Sequence, residues 1–117
     1  MKLQNHDRAI IPQEKLWDYL LSPRHPIGQF KAKFFRSLGY TNDNWKQLES
    51  DLREILRNDA TVKEKTEYGQ KYEVVGTLKG PLKTATIVTA WIILKNEDLP
   101  RFITAHPRDQ GDRIKDL

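Results

Sequence analysis

At Asn58-Asp59 the chain changes its period, and that change limits the folds open to it. Upstream, Trp45, Leu48, Leu52 and Ile55 recur at helical spacing, and Asp51, Arg53, Glu54 and Arg57 are left to face water. Downstream, apolar and polar residues alternate. Thr61 to Lys65 reads as an edge strand, charged as edges often are. In Lys71 to Leu78, Tyr72, Val74 and Leu78 fall on one face and Lys71, Glu73 and Thr77 on the other. Thr84 to Leu94 is the richest β segment and reads as a central strand buried on both faces. Lys79-Gly80-Pro81-Leu82 connects these two as a hairpin, and Asn96-Glu97-Asp98 turns the chain into a final strand, Arg101 to Ala105.

The first half supplies two more helices. Asp7 to Pro12 is an extended lead-in, and Pro12 suits a first helical turn because its missing N–H costs nothing there. Gln13 to Leu21 follows, with Leu16, Trp17, Leu20 and Leu21 on its apolar side, and Ser22-Pro23 ends it. The next helix begins near Pro26 or Ile27; Ile27, Phe30, Phe34 and Leu38 mark its face and Gly39 stops it. Tyr40 to Asn44 offers several N-caps for the third helix, Asn44 to Arg57. The expected class is α+β: three N-terminal helices, then an antiparallel meander of three or four strands with the helices on one face. The 117 residues fit a single domain, with a core from about 8 to 107 and a frayed polar tail over 108–117.

There is no cysteine, so disulfides and cysteine-based zinc sites are excluded. His6, His25 and His106 are scattered without ligand spacing, and neither a metal nor another cofactor is expected. No apolar run approaches the roughly 20 residues of a membrane span, and Met1 to Asp7 holds no signal-peptide core. The expected location is the cytoplasm, unless another segment carries the domain elsewhere. The net charge of +4 is a mild pointer to an anionic partner, and its distribution says more. From Ser22 to Asn42 there is no acidic residue, while Arg24, Lys31, Lys33 and Arg36 lie within it. That block is either the wet face of a helix or a footprint for phosphate groups.

The candidate chemistry is a set of polar groups that can converge rather than a motif. His25 sits at a helix N-terminus, where free N–H groups and the dipole favour an anion, and its imidazole can move protons near neutral pH. Lys31, nearly two turns on, can hold a phosphate. Thr104 and His106, two apart on the last strand, share a side with Phe102, which leaves Ile103 and Ala105 to pack on the helices. Tyr68, Lys71 and Arg24 are candidate substrate contacts. The bland alternatives are a capping histidine, a solvated lysine and an ordinary β-branched strand residue.

The runs Trp17 to Gly28, Lys31 to Phe35 and Leu38 to Tyr40 resemble a bacterial family of uncharacterised domains. So do Tyr68 to Tyr72, Gly76 to Pro81 and Phe102 to Pro107. The layout also looks similar, more remotely, to barnase/EndoU/colicin/RelE-type ribonuclease toxins. In those, N-terminal helices precede a meander sheet and a late strand ends in a Thr-Ala-aromatic-Pro type sequence. Here that ending is Thr104-Ala105-His106-Pro107, with His106 in place of the aromatic. The resemblance implies metal-free RNA cleavage, with His25 and Lys31 in the early helical position where such toxins place catalytic residues. The expected partner is then RNA, with His25, Lys31, Thr104 and His106 catalytic. The alternative is a non-enzymatic interaction module with a small cognate partner protein. A third reading is passive binding of nucleic acid by the basic helix.

Overall fold

The computed structural model describes residues 1–22, 24–26 and 28–108. It is α+β, with three helices and a four-stranded antiparallel sheet. Helix α1 is Gln13–Lys15 and runs directly into a π-helical turn, Leu16–Leu20. Helix α2 is Gly28–Ser37 and α3 is Trp45–Ile55. The strands are β1 Ala60–Lys65, β2 Gly69–Lys79, β3 Thr84–Leu94 and β4 Arg101–Pro107, paired in the order β1-β2-β3-β4. The helices are not all N-terminal, because α3 lies in the middle of the chain. Pro23, expected with Ser22 to end the first helix, and Ile27 and the side chain of Phe30, expected on the face of α2, lie outside the described residues. Of the expected tail only Arg108 is described, and its N–H donates to the Thr86 carbonyl at 3.1 Å.

The helix ends follow from their residues. Gly39 takes φ +104°, the left-handed region, which lets Gly39 N–H reach Arg36 O (2.9 Å) and Tyr40 N–H reach Phe35 O (3.1 Å). These two bonds close α2 as a Schellman motif. Of the possible caps before α3, Thr41 is used: its hydroxyl accepts from Asp43 N–H while the Asn44 side chain accepts from Thr41 N–H. Leu48, Leu52 and Ile55 are buried as expected. Two residues expected in water on α3 are not free there. Arg53 donates to the Ala9 carbonyl (2.7 Å) and pairs with Glu49 (2.9 Å), and Asp51 accepts from the Tyr40 hydroxyl (2.5 Å).

The core takes its sheet residues from one face: Val74, Leu78, Ile87, Trp91, Phe102 and Ala105. Strand β3 is interior, but its two faces differ. Ile87, Thr89 and Trp91 are fully buried; on the other side Val88 is buried but Thr86, Ala90 and Ile92 are only half-buried, so the expected burial on both faces forms only in part. Strand β1 is an edge and its last five residues are exposed. The edge at β4 is partly covered by the lead-in, since Ile10 makes a parallel bridge to Arg101.

Strand β4 breaks the expected alternation. Ala90 pairs with Thr104 and Trp91 with Phe102, which leaves Ile103 as an extra residue. Such a bulge resets the side-chain phase. Phe102 therefore turns into the core, 3% exposed and edge-to-face with Trp91 at 5.3 Å, and does not share a side with Thr104 and His106. Ile103, the extra residue, is only half-buried and does not join the core.

Two polar arrangements inside this core generate tests. Buried Thr89 donates to the Val74 carbonyl (2.7 Å) and accepts from the Trp91 indole N–H (2.7 Å). Thr89→Val keeps the shape and strands the indole donor, and should cost about 1–3 kcal/mol in urea unfolding. An unchanged midpoint would show that the indole finds another partner. The Tyr40 phenol is pushed well above the ordinary tyrosine range by burial and then by its bond to the Asp51 carboxylate and that group's charge. The native state thus holds this proton at a pH where the unfolded chain releases it. The resulting stability is present below about pH 10 and is lost as pH rises beyond it. Unfolding midpoints should fall from about pH 10 upward, and Tyr40→Phe should flatten that fall.

Candidate active site

The site begins with a local irregularity in a helix. Leu16, Leu20 and Leu21 stand at i, i+4 and i+5, and all three are fully buried. A turn closed by Leu21 N–H to Leu16 O (2.9 Å), one residue wider than an α-turn, puts all three on one side. Trp17, expected on that apolar side, is instead 39% exposed and stands edge-to-face with Trp45 at 5.7 Å. Tyr19 is carried to the β4 edge of the sheet.

There the Tyr19 hydroxyl lies 3.2 Å from Thr104 Oγ1. Lys31, from the middle of α2, donates from Nζ to the same Thr104 Oγ1 at 2.5 Å. Lys31 Nζ is 5.3 Å from the Tyr19 ring centroid and Lys15 Nζ is 5.6 Å from it, so two cations flank one phenol. The His25 ring meets the Tyr19 ring edge-to-face at 5.1 Å. Burial raises the Tyr19 phenol, but the hydrogen bonds of Thr104 and Lys31 and the charges of Lys31 and Lys15 outweigh it, and the group lies below the ordinary tyrosine range. A cavity of about 430 Å³ is lined by Glu14, Lys15, Asp18, Tyr19, His25, Ile103 and Thr104; Lys31 is not in its lining but is bonded to Thr104, which is. Its volume falls within the roughly 300–1,000 Å³ of small-molecule sites.

Of the residues expected to form a site, His25 and Thr104 line the cavity and Lys31 reaches it through its bond to Thr104, although their elements are far apart in the chain. The others do not line the cavity. Arg24 is exposed beside it, with its backbone N–H donating to Ser22 Oγ at 3.3 Å. Lys71 is on β2, where it pairs with Ile92 of β3, two strands from β4. Tyr68 is 68% exposed in the turn before β2. His106 is exposed opposite Val88, with Nδ1 3.0 Å from the carbonyl oxygen of Pro107. Tyr19 is the residue that reasoning from sequence missed. Its one local signal is Lys15 four positions earlier on the same helix.

Among the described residues no three His, Asp or Glu side chains gather as a metal-binding group. No helix among them is long and apolar enough to cross a membrane.

Residues 2–109 match the model of a family described as Domain of unknown function (DUF6883). The chain belongs to this family. No curated protein and no solved structure matches it. The family match takes in every element of the fold and every residue around the cavity.

The coupling between these groups is measurable by titration of ¹³C-labelled tyrosine. Tyr19 should titrate below the usual tyrosine value of about 10. Lys31→Met, which keeps the apolar stem and removes the charge, should raise it, and Thr104→Val should do so to a smaller degree. No movement in either variant would mean that neither group acts on the phenol.

Proposed function

We propose that this protein is a small metal-independent ribonuclease of the bacterial toxin type, which binds an RNA phosphodiester in the cavity between α1 and β4 in the cytoplasm. One observation carries the reading: an imidazole (His25), an ammonium (Lys15), an alcohol (Thr104) and an acidified phenol (Tyr19), drawn from three separate segments, border one cavity, and a second ammonium, Lys31, is bonded to that alcohol. In such a site the 2′-oxygen attacks the adjacent phosphorus. The phosphorus–5′-oxygen bond breaks and a 2′,3′-cyclic phosphate forms. A base takes the 2′-hydroxyl proton and an acid supplies a proton to the departing 5′-oxygen.

His25 is the proton-transfer group facing the cavity. Lys31 spends one N–H on Thr104 and keeps others for a phosphate oxygen, where its charge stabilises the phosphorane. Lys15 is the cation on the cavity wall itself. Thr104 fixes Lys31 and offers its own hydroxyl. Arg24, Tyr68, Lys71 and His106 have no part in the reaction as written.

The test is cleavage of a fluorescent single-stranded RNA, with the product end identified as a cyclic phosphate. His25→Ala and Thr104→Ala should each lower the rate at least about 100-fold while the thermal melt stays intact. The rate should be unchanged by EDTA. Full activity in both variants would sink the reading.

A further inference from the structure

The direction of the hydrogen bonds at Thr104 sets up a role for Tyr19. Lys31 has an ammonium that donates and cannot accept, so Thr104 Oγ1 is the acceptor of that bond. The threonine proton is then free for a second partner, and the Tyr19 oxygen stands 3.2 Å away. With Thr104 as the donor of that second bond, the phenol oxygen accepts and its own proton is left for another partner. Each bond in the chain Lys31 to Thr104 to Tyr19 polarises the next. The arrangement stabilises negative charge on the phenol oxygen at the moment a proton leaves it.

We propose that Tyr19 is the general acid of this site and gives its proton to the departing 5′-oxygen of RNA, with His25 as the base. The inference rests on the ribonuclease reading above. The step balances as follows. His25 takes the 2′-hydroxyl proton as the 2′-oxygen bonds to phosphorus. The bond from phosphorus to the 5′-oxygen breaks with its electron pair on that oxygen, and Tyr19 protonates it. Phenolate and imidazolium remain, and proton exchange with water restores both once the product has left.

The surroundings of the phenol agree with that role. From its own helix it faces Lys15, with Glu14 and Asp18 on the cavity wall. From the connection to α2 it faces His25, from α2 Lys31, and from β4 the neutral Thr104. The two ammonium groups lie within 5.6 Å of the ring centroid and favour the phenolate. The lowered pKa of Tyr19 brings its proton closer to the working range of a general acid. The two rings, 5.1 Å apart, leave base and acid near enough to serve one phosphate from different sides.

Tyr19→Phe removes one oxygen and keeps the ring that packs on His25. The measurement compares two substrates: ordinary RNA, and RNA with a bridging sulfur in place of the 5′-oxygen, whose thiolate leaves without needing a proton. Tyr19→Phe should cleave ordinary RNA at least 100-fold more slowly than the wild type and should regain a near wild-type rate on the sulfur substrate. A variant equally defective on both substrates, with an unchanged melt, would show that Tyr19 only shapes the site and would overturn the proposal. So would a variant as active as the wild type on ordinary RNA. If the wild-type chain cleaves neither substrate, the ribonuclease reading falls and takes this inference with it.

Discussion

The packing of Trp91 on Phe102 is the constraint on which the site depends. Trp91 is the largest fully buried side chain, its indole N–H is held by Thr89, and Phe102 closes against it from the neighbouring strand. Burying two aromatic rings of this size is among the larger contributions any pair of positions can make to a small domain. Phe102 must therefore face the core. Ala105, three residues on, must face it too, because it is fully buried opposite Thr89. In a regular strand, residues an odd number apart point to opposite faces. Both can be satisfied only if one residue is added between them, and Ile103 is that residue.

The same logic operates in the helix opposite. Leu16, Leu20 and Leu21 cannot all face one core from a regular α-turn, and the wider turn that reconciles them carries Tyr19 to the edge of the sheet. The candidate site thus forms where two single-residue irregularities meet, each imposed by the demands of the core. The bulge presents Thr104 and the π-turn presents Tyr19. Lys31, from the regular helix α2, ties them together through its bond to Thr104.

Much of the fold was legible in the residues because it is written in periods and punctuation. The stripe Leu48, Leu52, Ile55 is a helix face wherever it occurs, Gly39 ends a helix because it alone accepts φ +104° without strain, and Thr84 to Leu94 is β-rich throughout. The bulge and the π-turn were not legible. Each changes the phase by one residue, and strict alternation through Phe102-Ile103-Thr104 reads equally well on paper. Half of the site was anticipated from residue type: an imidazole and a lysine in an acid-free segment, and a threonine on the last strand. Tyr68, Lys71 and His106 were nominated on the same grounds and stand away from the cavity, because residue type does not say which strand neighbours which helix. Tyr19 was missed because the partner that gives it meaning is 85 residues away.

The electrostatics of Lys31 explain why such a place suits an anion. Lys31 is half-buried, and among the described residues no ion pair involves it; its bond is to a neutral hydroxyl. A charge drawn partly out of water without a counter-charge is costly. Structures that only stabilise a fold place a carboxylate beside it, as Glu49 stands beside Arg53 and Glu97 beside Arg101. Here the nearest acidic group in hydrogen-bond sequence is a phenol, held in its neutral form until something removes its proton. On the ribonuclease reading proposed above, an incoming phosphate would supply the missing negative charge directly, and the phenol would supply it when it acts as an acid. The cost of holding Lys31 would then be offset when the cavity is in use.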